Sequence, residues 1–152
     1  MYPVEEKEKT VVTLGYKALY PVTKWFKDRG LTFHDGIDIS FLKEYADQKF
    51  HIVAPVDGQV IWADWQDPNN HDKGFGLHII LLFIEKATYS VELYYLAHLD
   101  SITVNEGLRV KKGTRIAVMG NSGASTARHL HIGRKVLKNY GRLVTANPKV
   151  VL

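Results

Sequence analysis

The sequence predicts a mainly β fold, an antiparallel β-sheet sandwich with few short helices. Two observations carry this prediction: several segments are rich in Val, Ile, Tyr and Phe, which are favoured in strands, and each is bounded by Gly, Asn, Asp or Pro. The predicted strands cover residues 50–54, 58–65, 76–84, 88–98, 115–119 and 128–137. Because short turns separate them, hairpins should dominate the topology.

The segments between the predicted strands supply turns and at most one helix. Ser40 is a candidate cap for a helix over residues 41–48, and residues 41–50 are expected to form a peripheral insertion. Glycine-containing turns are predicted at residues 55–58, 74–76 and 111–113, and a hairpin loop at residues 138–141. Pro148 restricts the last residues to an edge strand or a tail, and residues 1–15 are expected to be an extension.

The composition is that of one globular domain. A chain of 152 residues can bury its own hydrophobic core, and 45% hydrophobic and 24% charged residues are near the average for globular proteins. The sequence contains no cysteine, which excludes disulfides, thiolate metal sites and a cysteine nucleophile. We therefore expect a single domain over residues 1–152 in which His and carboxylate side chains hold any metal.

Signals for export, membrane insertion and nucleic-acid binding are weak. The start of the chain alternates Glu and Lys where a signal peptide needs a basic end and an apolar stretch. The most apolar run, residues 79–84, is far shorter than the roughly 20 residues that span a bilayer. The net charge is +4, but the basic residues are scattered. We expect no signal peptide, no membrane span, no nucleic-acid partner and a monomer.

Two pairs of residues have spacings that could build a metal site. His129 and His131 are separated by one residue in a predicted strand, so both side chains point to the same face. His34 and Asp38 would lie about 13 Å apart in a straight strand, too far to share a metal. Gly36 stands between them and permits a kinked strand. The His-x-His pattern alone fits exposed or hydrogen-bonded histidines equally well.

Two histidines and one carboxylate are sufficient for a catalytic zinc site, because such sites leave a fourth position to water. A neutral imidazole beside the site can take a proton from that water, and His129 is placed for this role. His98 could stabilise the oxyanion of a tetrahedral intermediate, although a histidine at the end of an apolar strand is more often structural. His51, His71 and His78 have no partner at ligand spacing and are expected to be surface or packing residues.

A polar loop at residues 120–126 leads directly to His129. Its hydroxyls and amides could line a groove for an extended peptide, or the loop could be only a turn. The candidate substrate-binding residues are Asn121, Ser122, Ser125 and Thr126.

Taken together, these motifs resemble the lysostaphin-type, or LytM-type, zinc metallopeptidases that act on peptidoglycan. Each motif is weak by itself, but their order along most of the chain is specific. The matching motifs are Tyr20-Pro21-Val22-Thr23, His34-x-Gly36-x-Asp38-Ile39, Ala54-Pro55-Val56-Asp57-Gly58-x-Val60, Gly74-x-Gly76, Tyr95-x-x-His98-Leu99, Val110-Lys111-Lys112-Gly113, Gly120-Asn121-Ser122-Gly123-x-Ser125-Thr126, His129-Leu130-His131 and Asn147-Pro148.

The resemblance implies the antiparallel sheet of the lysostaphin-type (duplicated hybrid motif) kind, one Zn²⁺ per chain, and endopeptidase action on peptidoglycan stems or cross-bridges. By match to the motifs, His34, Asp38 and His131 would be zinc ligands, and His98 and His129 would assist catalysis. Such a substrate lies outside the cytoplasmic membrane. Because no signal peptide is visible, we expect a phage-delivered enzyme or an excised domain of a secreted protein.

The sequence departs from the family pattern near His131. Ala127 and Arg128 stand where the family often has Gly and Pro, and Gly133 stands where an acidic residue or Gln commonly follows the His-x-His strand. The group that orients His131 is therefore not predicted by the sequence.

Two alternatives remain open at the level of sequence. One is a catalytically inactive family member that serves as a cell-wall scaffold or regulator, although such members normally lose one or more of the site residues that this chain keeps. The other is a biotinyl- or lipoyl-type carrier domain, which the hairpin-like segments 54–60 and 104–119 resemble. The carrier would leave the histidines unexplained.

Overall fold

The computed structural model describes residues 1–20, 23–138 and 141–150. Strands dominate this part of the chain, and the helices are short. The strands are β1 (Thr10–Leu14), β2 (Gly36–Phe41), β3 (His51–Val53), β4 (Gly58–Trp65), β5 (Leu77–Glu85), β6 (Ser90–Ala97), β7 (Leu99–Ile102), β8 (Arg109–Val110), β9 (Arg115–Met119), β10 (Leu130–Lys138) and β11 (Arg142–Ala146). The helices are α1 (Lys24–Lys27) and two 3-10 helices, Lys7–Lys9 and Lys43–Tyr45.

The strands form two antiparallel sheets. The larger sheet has the order β1-β2-β10-β6-β5-β4-β8, with β11 also paired to β10, and the smaller sheet has the order β3-β9-β7. Every strand pairing in the described residues is antiparallel. The predicted fold class, a mainly β antiparallel architecture with few short helices, is confirmed.

The hydrophobic core sets the direction of the functional side chains. Ile39 of β2 and Ile132 of β10 are fully buried and belong to the same cluster as Ile52 and Ile116 of the smaller sheet. Because side chains alternate along a strand, Asp38 and His131 project from the opposite face of the larger sheet. The core thereby fixes two candidate ligands on neighbouring strands.

The predicted helix over residues 41–48 is wrong. Strand β2 continues to Phe41, and only Lys43–Tyr45 is helical, as a single 3-10 turn. Ser40 caps no helix: it is paired with Val11 in the sheet, and its hydroxyl donates to the carbonyl oxygen of Arg128 at 3.1 Å. Cross-strand pairing therefore outweighs the local helix signal here.

The predicted strand over residues 88–98 is divided between the two sheets. β6 ends at Ala97 in the larger sheet, and β7 begins at Leu99 in the smaller one. The break is His98, whose φ of 61° lies in the left-handed region that few non-glycine residues adopt.

Strands β1, β2, β7, β8 and β11 were not among the six predicted segments, although a kinked strand was expected around Gly36. β1 lies within the expected extension and pairs with β2. The expected hairpin loop at 138–141 and the motif at 20–23 include residues 139–140 and 21–22, which are outside the described residues. None of the helices in the described ranges has the length and hydropathy needed to cross a membrane.

Candidate active site

Three candidate ligands meet where β2 lies beside β10. Asp38 and His131 are directly opposite each other in the strand register, and His34 stands two residues before β2. His34 Nε2 is 3.0 Å from Asp38 Oδ1 and 3.0 Å from His131 Nδ1, and that Nδ1 is 3.0 Å from the same Oδ1. The three atoms thus form a nearly equilateral triangle.

The bend that brings His34 to Asp38 lies outside the strand. His34 is held by the backbone of the preceding loop, since its N–H donates to Ala18 O at 2.9 Å and its carbonyl accepts from Lys17 N at 2.8 Å. Gly36 does not take the positive φ that would mark a glycine kink. It is needed for space, because a Cβ there would lie 2.4 Å from Ile132 O and 2.7 Å from the His131 ring.

The hydrogen-bonding of His34 directs a lone pair at the triangle. Its Nδ1 is 3.0 Å from Gly15 O, and because a carbonyl only accepts, Nδ1 carries the proton. In the neutral ring Nε2 is then unprotonated and faces Asp38 and His131. Outer partners of this kind fix the tautomer of metal-binding histidines.

The donor set fits a catalytic metal site. Ligands of a tetrahedral zinc with bonds of about 2.0–2.1 Å lie roughly 3.3–3.4 Å apart, close to the spacing of this triangle. Two imidazole nitrogens and one carboxylate oxygen, with a fourth position left to water, are typical of catalytic rather than structural zinc. His34, Asp38 and His131 could therefore hold a divalent ion.

The electrostatics show how strongly these side chains interact. Burial by itself would raise the pKa of Asp38, but hydrogen bonds with His131 and His34 outweigh it and lower the pKa well below the usual range. Burial opposes a charge on His131, yet its contacts with Asp35 and Asp38 raise its pKa to about 9. Without a metal, the cluster is stabilised by a proton on His131.

His98 and His129 stand beside the triangle, with their ring centres 4.8 Å apart. His98 donates from Nδ1 to Ser122 O at 2.7 Å, and His129 donates from Nδ1 to Ala127 O at 2.8 Å. In the neutral rings both Nε2 atoms are acceptors, and that of His129 is 3.6 Å from Asp38 Oδ1. Burial, with smaller contributions from His129 and His131, lowers the pKa of His98 to about 3. The structure thus brings all five predicted residues together.

A groove passes over these histidines. One wall is aromatic and comes from α1 and its neighbours, and the other comes from the loop before β10. The residues that line it are Leu14, Tyr20, Trp25, Phe26, Leu31, Phe33, Asp35, Asp38, Gln66, Gly74, Phe75, His98, Ala124, Ser125, Thr126, His129 and His131.

The candidate substrate-binding residues divide between the groove and the fold. Ser125 and Thr126 line the groove, whereas Asn121 and Ser122 do not. The Ser122 hydroxyl donates to Leu99 O at 2.7 Å and accepts from Leu77 N at 3.1 Å. Ser122 therefore joins the loop to two strands.

Sequence reasoning missed the aromatic wall and Asp35. Tyr20 stacks on Phe26 with ring centres 4.5 Å apart and meets the His34 ring edge-on at 5.6 Å. Phe33 is 60% exposed, which is unusual for so large an apolar side chain. The available signal was a group of aromatic residues in a segment where no strand was predicted.

The other histidines have local partners. His71 stacks on Trp65, and His78 Nδ1 donates to Gly76 O at 3.0 Å. His51 lies near Glu5 and Glu6, a second group at ligand distance. There Glu6 accepts from His51 Nδ1 at 2.7 Å, and Arg115 donates to Glu5 at 2.6 Å, so both carboxylates already have hydrogen-bond partners.

Comparison with known proteins gives consistent matches. The model of Peptidase family M23 matches residues 32–144. The murein hydrolase activator NlpD of Escherichia coli is 36% identical over 101 residues, 66% of this chain and 23% of that protein. The chain spans about a quarter of the length of the curated relatives it matches.

Solved structures agree with the fold. The catalytic domain of lysostaphin from Staphylococcus simulans is 25% identical, with a TM-score of 0.65 over 89% of this chain and 86% of that one. A zinc-containing peptidase from Vibrio cholerae is 29% identical, with a TM-score of 0.67 over 99% of this chain and 39% of that one. The family model covers most of the chain and includes all three candidate ligands and both neighbouring histidines, so the resemblance seen in the motifs is confirmed: the chain belongs to peptidase family M23.

Proposed function

We propose that this chain is a zinc-dependent endopeptidase that hydrolyses peptide bonds in the stems or cross-bridges of bacterial peptidoglycan. The observation that carries the proposal is the convergence of His34 Nε2, Asp38 Oδ1 and His131 Nδ1, each 3.0 Å from the other two, beside an open groove. Membership of a peptidase family supports hydrolysis. Similarity to an antimicrobial peptidase and to a murein hydrolase activator supports a cell-wall substrate, reached outside the cytoplasmic membrane.

The chemistry divides between the metal and the chain's own side chains. His34, Asp38 and His131 would hold one zinc ion, which when bound supplies Lewis acidity and lowers the pKa of water. His129 serves as the general base, because Ala127 O holds its Nδ1 proton and leaves Nε2 free to accept another. That Nε2 lies close to Asp38, at the edge of the ligand triangle.

The hydrogen bonding of His98 favours a role other than binding the oxyanion. An oxyanion needs a donor, but Ser122 O holds the Nδ1 proton and burial keeps the ring neutral, with a pKa of about 3. In this state Nε2 is an acceptor. We assign His98 the orientation of the attacking water, in which it accepts one hydrogen bond while His129 takes the proton.

The groove suits an extended peptide with small side chains. Ser125 and Thr126 offer hydroxyls on one wall, while Trp25 and Phe33 offer apolar surface on the other. An extended backbone can hydrogen-bond to the first wall and pack against the second. Peptidoglycan peptides combine small residues with an accessible backbone.

A catalytically inactive regulator is the second candidate, favoured by the relative that is a murein hydrolase activator. The complete triangle and both further histidines favour an enzyme, because a scaffold needs none of them. The carrier-domain alternative receives no support, since the family model spans residues 32–144 and accounts for the histidines.

The test is zinc content followed by hydrolysis of purified peptidoglycan. We expect about one zinc per chain and new amino groups released from the wall. His129→Ala should keep the zinc and the fold but lose about 10²–10⁴-fold in rate, because it removes a base and no ligand. Less than about half a zinc per chain together with no hydrolysis would favour the regulator.

A further inference from the structure

One nitrogen of His131 faces away from the ligand triangle. Its Nδ1 points to His34 and Asp38, so Nε2 lies on the far side of the ring. This Nε2 is fully buried and makes no hydrogen bond to any residue in the described part of the chain. The nearest carboxylate oxygen is Asp35 Oδ1, 3.4 Å away. A buried N–H without an acceptor is costly, so this pair is significant.

Position 133 leaves the space beside this nitrogen open. A Cβ on Gly133 would lie 3.5 Å from His131 Nε2 and 3.8 Å from Tyr95 Cβ, which are ordinary van der Waals distances. A Cβ at position 133 is therefore tolerated, and a side chain there would begin beside the nitrogen. Because the residue is glycine, a small cavity lies between Asp35, Tyr95 and the β10 backbone.

Asp35 is placed to act in place of that missing side chain. It stands between His34 and Gly36, and Gly36 is directly opposite Gly133 in the strand register. Its side chain is 51% exposed and forms no other ion pair within the described ranges. A half-exposed side chain can rotate, so the 3.4 Å contact can shorten to a charge-assisted hydrogen bond of about 2.7–2.9 Å.

We propose that Asp35 is the positioning residue of His131, accepting the Nε2 proton that a side chain at position 133 would otherwise hold. The inference rests on the proposed zinc site, because Nδ1 can bind a metal only through its lone pair, which requires the ring proton to be on Nε2. Asp35 thus fixes both the tautomer and the orientation of the ligand ring.

The first experiment measures zinc affinity by competition with a chromophoric chelator. Asp35→Ala should weaken zinc binding by about 10–100-fold, the usual effect of removing such an outer partner. Asp35→Asn keeps an oxygen acceptor and should lose less than Asp35→Ala. Asp47→Ala removes the same charge from an exposed position between β2 and β3 and should leave the affinity unchanged. Thermal melting with excess chelator checks that each variant is folded before zinc is added.

The second experiment is a rescue. In Asp35→Ala/Gly133→Glu the new carboxylate enters the cavity beside Nε2, and most of the lost affinity should return. Asp35→Ala/Gly133→Gln tests the same position with a neutral acceptor. Gly133→Glu alone should gain nothing, because Asp35 already serves the nitrogen.

The outcomes separate this inference from the proposed function. If the unmodified chain binds zinc and Asp35→Ala binds it equally well, the inference is wrong and the zinc site stands. If Asp35→Ala weakens binding but neither substitution at position 133 restores it, the claim that both positions serve one nitrogen is wrong. If the unmodified chain binds no zinc, the proposed function fails first.

Discussion

Two buried polar side chains, His131 and Arg134, lie three residues apart on β10 and have opposite kinds of surroundings. The guanidinium of Arg134 has a hydrogen-bond acceptor at each nitrogen. Its Nε donates to Glu92 Oε2 at 2.7 Å, and Nη2 donates to the other oxygen of the same carboxylate. Its Nη1 donates to Asn147 O at 3.1 Å. The ring nitrogens of His131 are not satisfied in this way. Its Nδ1 lies 3.0 Å from two other candidate ligand atoms, and its Nε2 makes no hydrogen bond within the described residues.

The difference teaches how to distinguish structure from function among buried polar groups. In the Arg134 group donors and acceptors are matched, so nothing further is required for its stability. In the His131 group three ligand atoms converge on one place, where without a metal only the proton on His131 lies between them. The alternation of side chains along β10 sends Arg134 to one face of the sheet and His131 to the groove.

Removing His131 is expected to give the largest effect. His131→Ala should abolish stoichiometric zinc binding and reduce hydrolysis by at least about a thousandfold, because several kcal/mol of Lewis-acid stabilisation are lost. The zinc-free variant should lose less than the roughly 3 kcal/mol expected when a buried charge is left unpaired, since water from the groove can reach Asp38. Zinc titration, peptide-release assays and urea unfolding with chelator measure the three quantities. A large loss of zinc-free stability would show that His131 is as structural as Arg134.

The Glu92–Arg134 pair should show the reverse pattern. Glu92→Ala leaves a buried guanidinium without its partner, so the free energy of unfolding should fall by about 3 kcal/mol while the zinc affinity stays unchanged. Replacing both residues, as in Glu92→Leu/Arg134→Met, should recover most of the loss because no charge remains buried. Urea unfolding measures both. A changed zinc affinity in Glu92→Ala would contradict the prediction that the Glu92–Arg134 pair acts independently of the His131 group.

The site was predictable from sequence to a greater extent than the fold around it. His129 and His131 share a face by strand alternation alone, and family motifs supplied the remaining residues. The register that sets Asp38 opposite His131 depends on pairing between residues 93 positions apart, which local patterns do not determine. The sequence favours Gly36 for its φ freedom, but the structure needs it because a Cβ there would collide with Ile132 O and with the His131 ring.

The other errors of the sequence-based prediction also concern features that local patterns do not determine. Ser40 and Glu44 carry a real helix signal, which cross-strand pairing of β2 with β1 and β10 overrides. Strand β8 is only two residues long and gives almost no pattern. Asp35 could not be assigned from sequence, because its importance depends on the empty space beside Gly133.

The pH dependence of stability should also differ between the two groups. The Arg134 hydrogen bond holds the pKa of Glu92 below its usual value, although burial acts in the other direction. A carboxyl with a lowered folded-state pKa stabilises the fold above its unfolded pKa of about 4.3 and loses that contribution as pH falls through the folded value.

Arg134→Met should reverse the sign of this contribution. Without Arg134 the buried Glu92 keeps only the Tyr94 hydroxyl at 3.3 Å and the more distant Lys149 Nζ at 3.9 Å. Burial should then favour its neutral form, so stability should decrease as pH rises above about 4. Arg109→Met removes the same charge from an exposed position of β8 and should keep the parent's acid dependence. Urea unfolding over a pH series with excess chelator isolates Glu92, because the site carboxylates are common to all variants. Equal slopes in the two variants would contradict the assignment.

Ser122 and Ser125 of the loop at residues 120–126 allow the same comparison between a structural and a functional side chain, with the smallest expected effects. Ser122 bridges Leu99 O and Leu77 N, so Ser122→Ala should lower the free energy of unfolding by about 1 kcal/mol. Ser125 lines the groove; its hydroxyl is 2.7 Å from Asn121 Oδ1 and 2.9 Å from Ala127 O, both in the exposed loop, and 3.3 Å from His129 Nδ1. Because those hydrogen bonds are exposed, Ser125→Ala should slow hydrolysis by about fivefold and lower the free energy of unfolding less than Ser122→Ala. Urea unfolding and peptide release, measured on both variants, separate an effect on stability from an effect on hydrolysis. If both serines changed only stability, the loop would support the fold alone, and the substrate-binding prediction for Ser125 would be wrong.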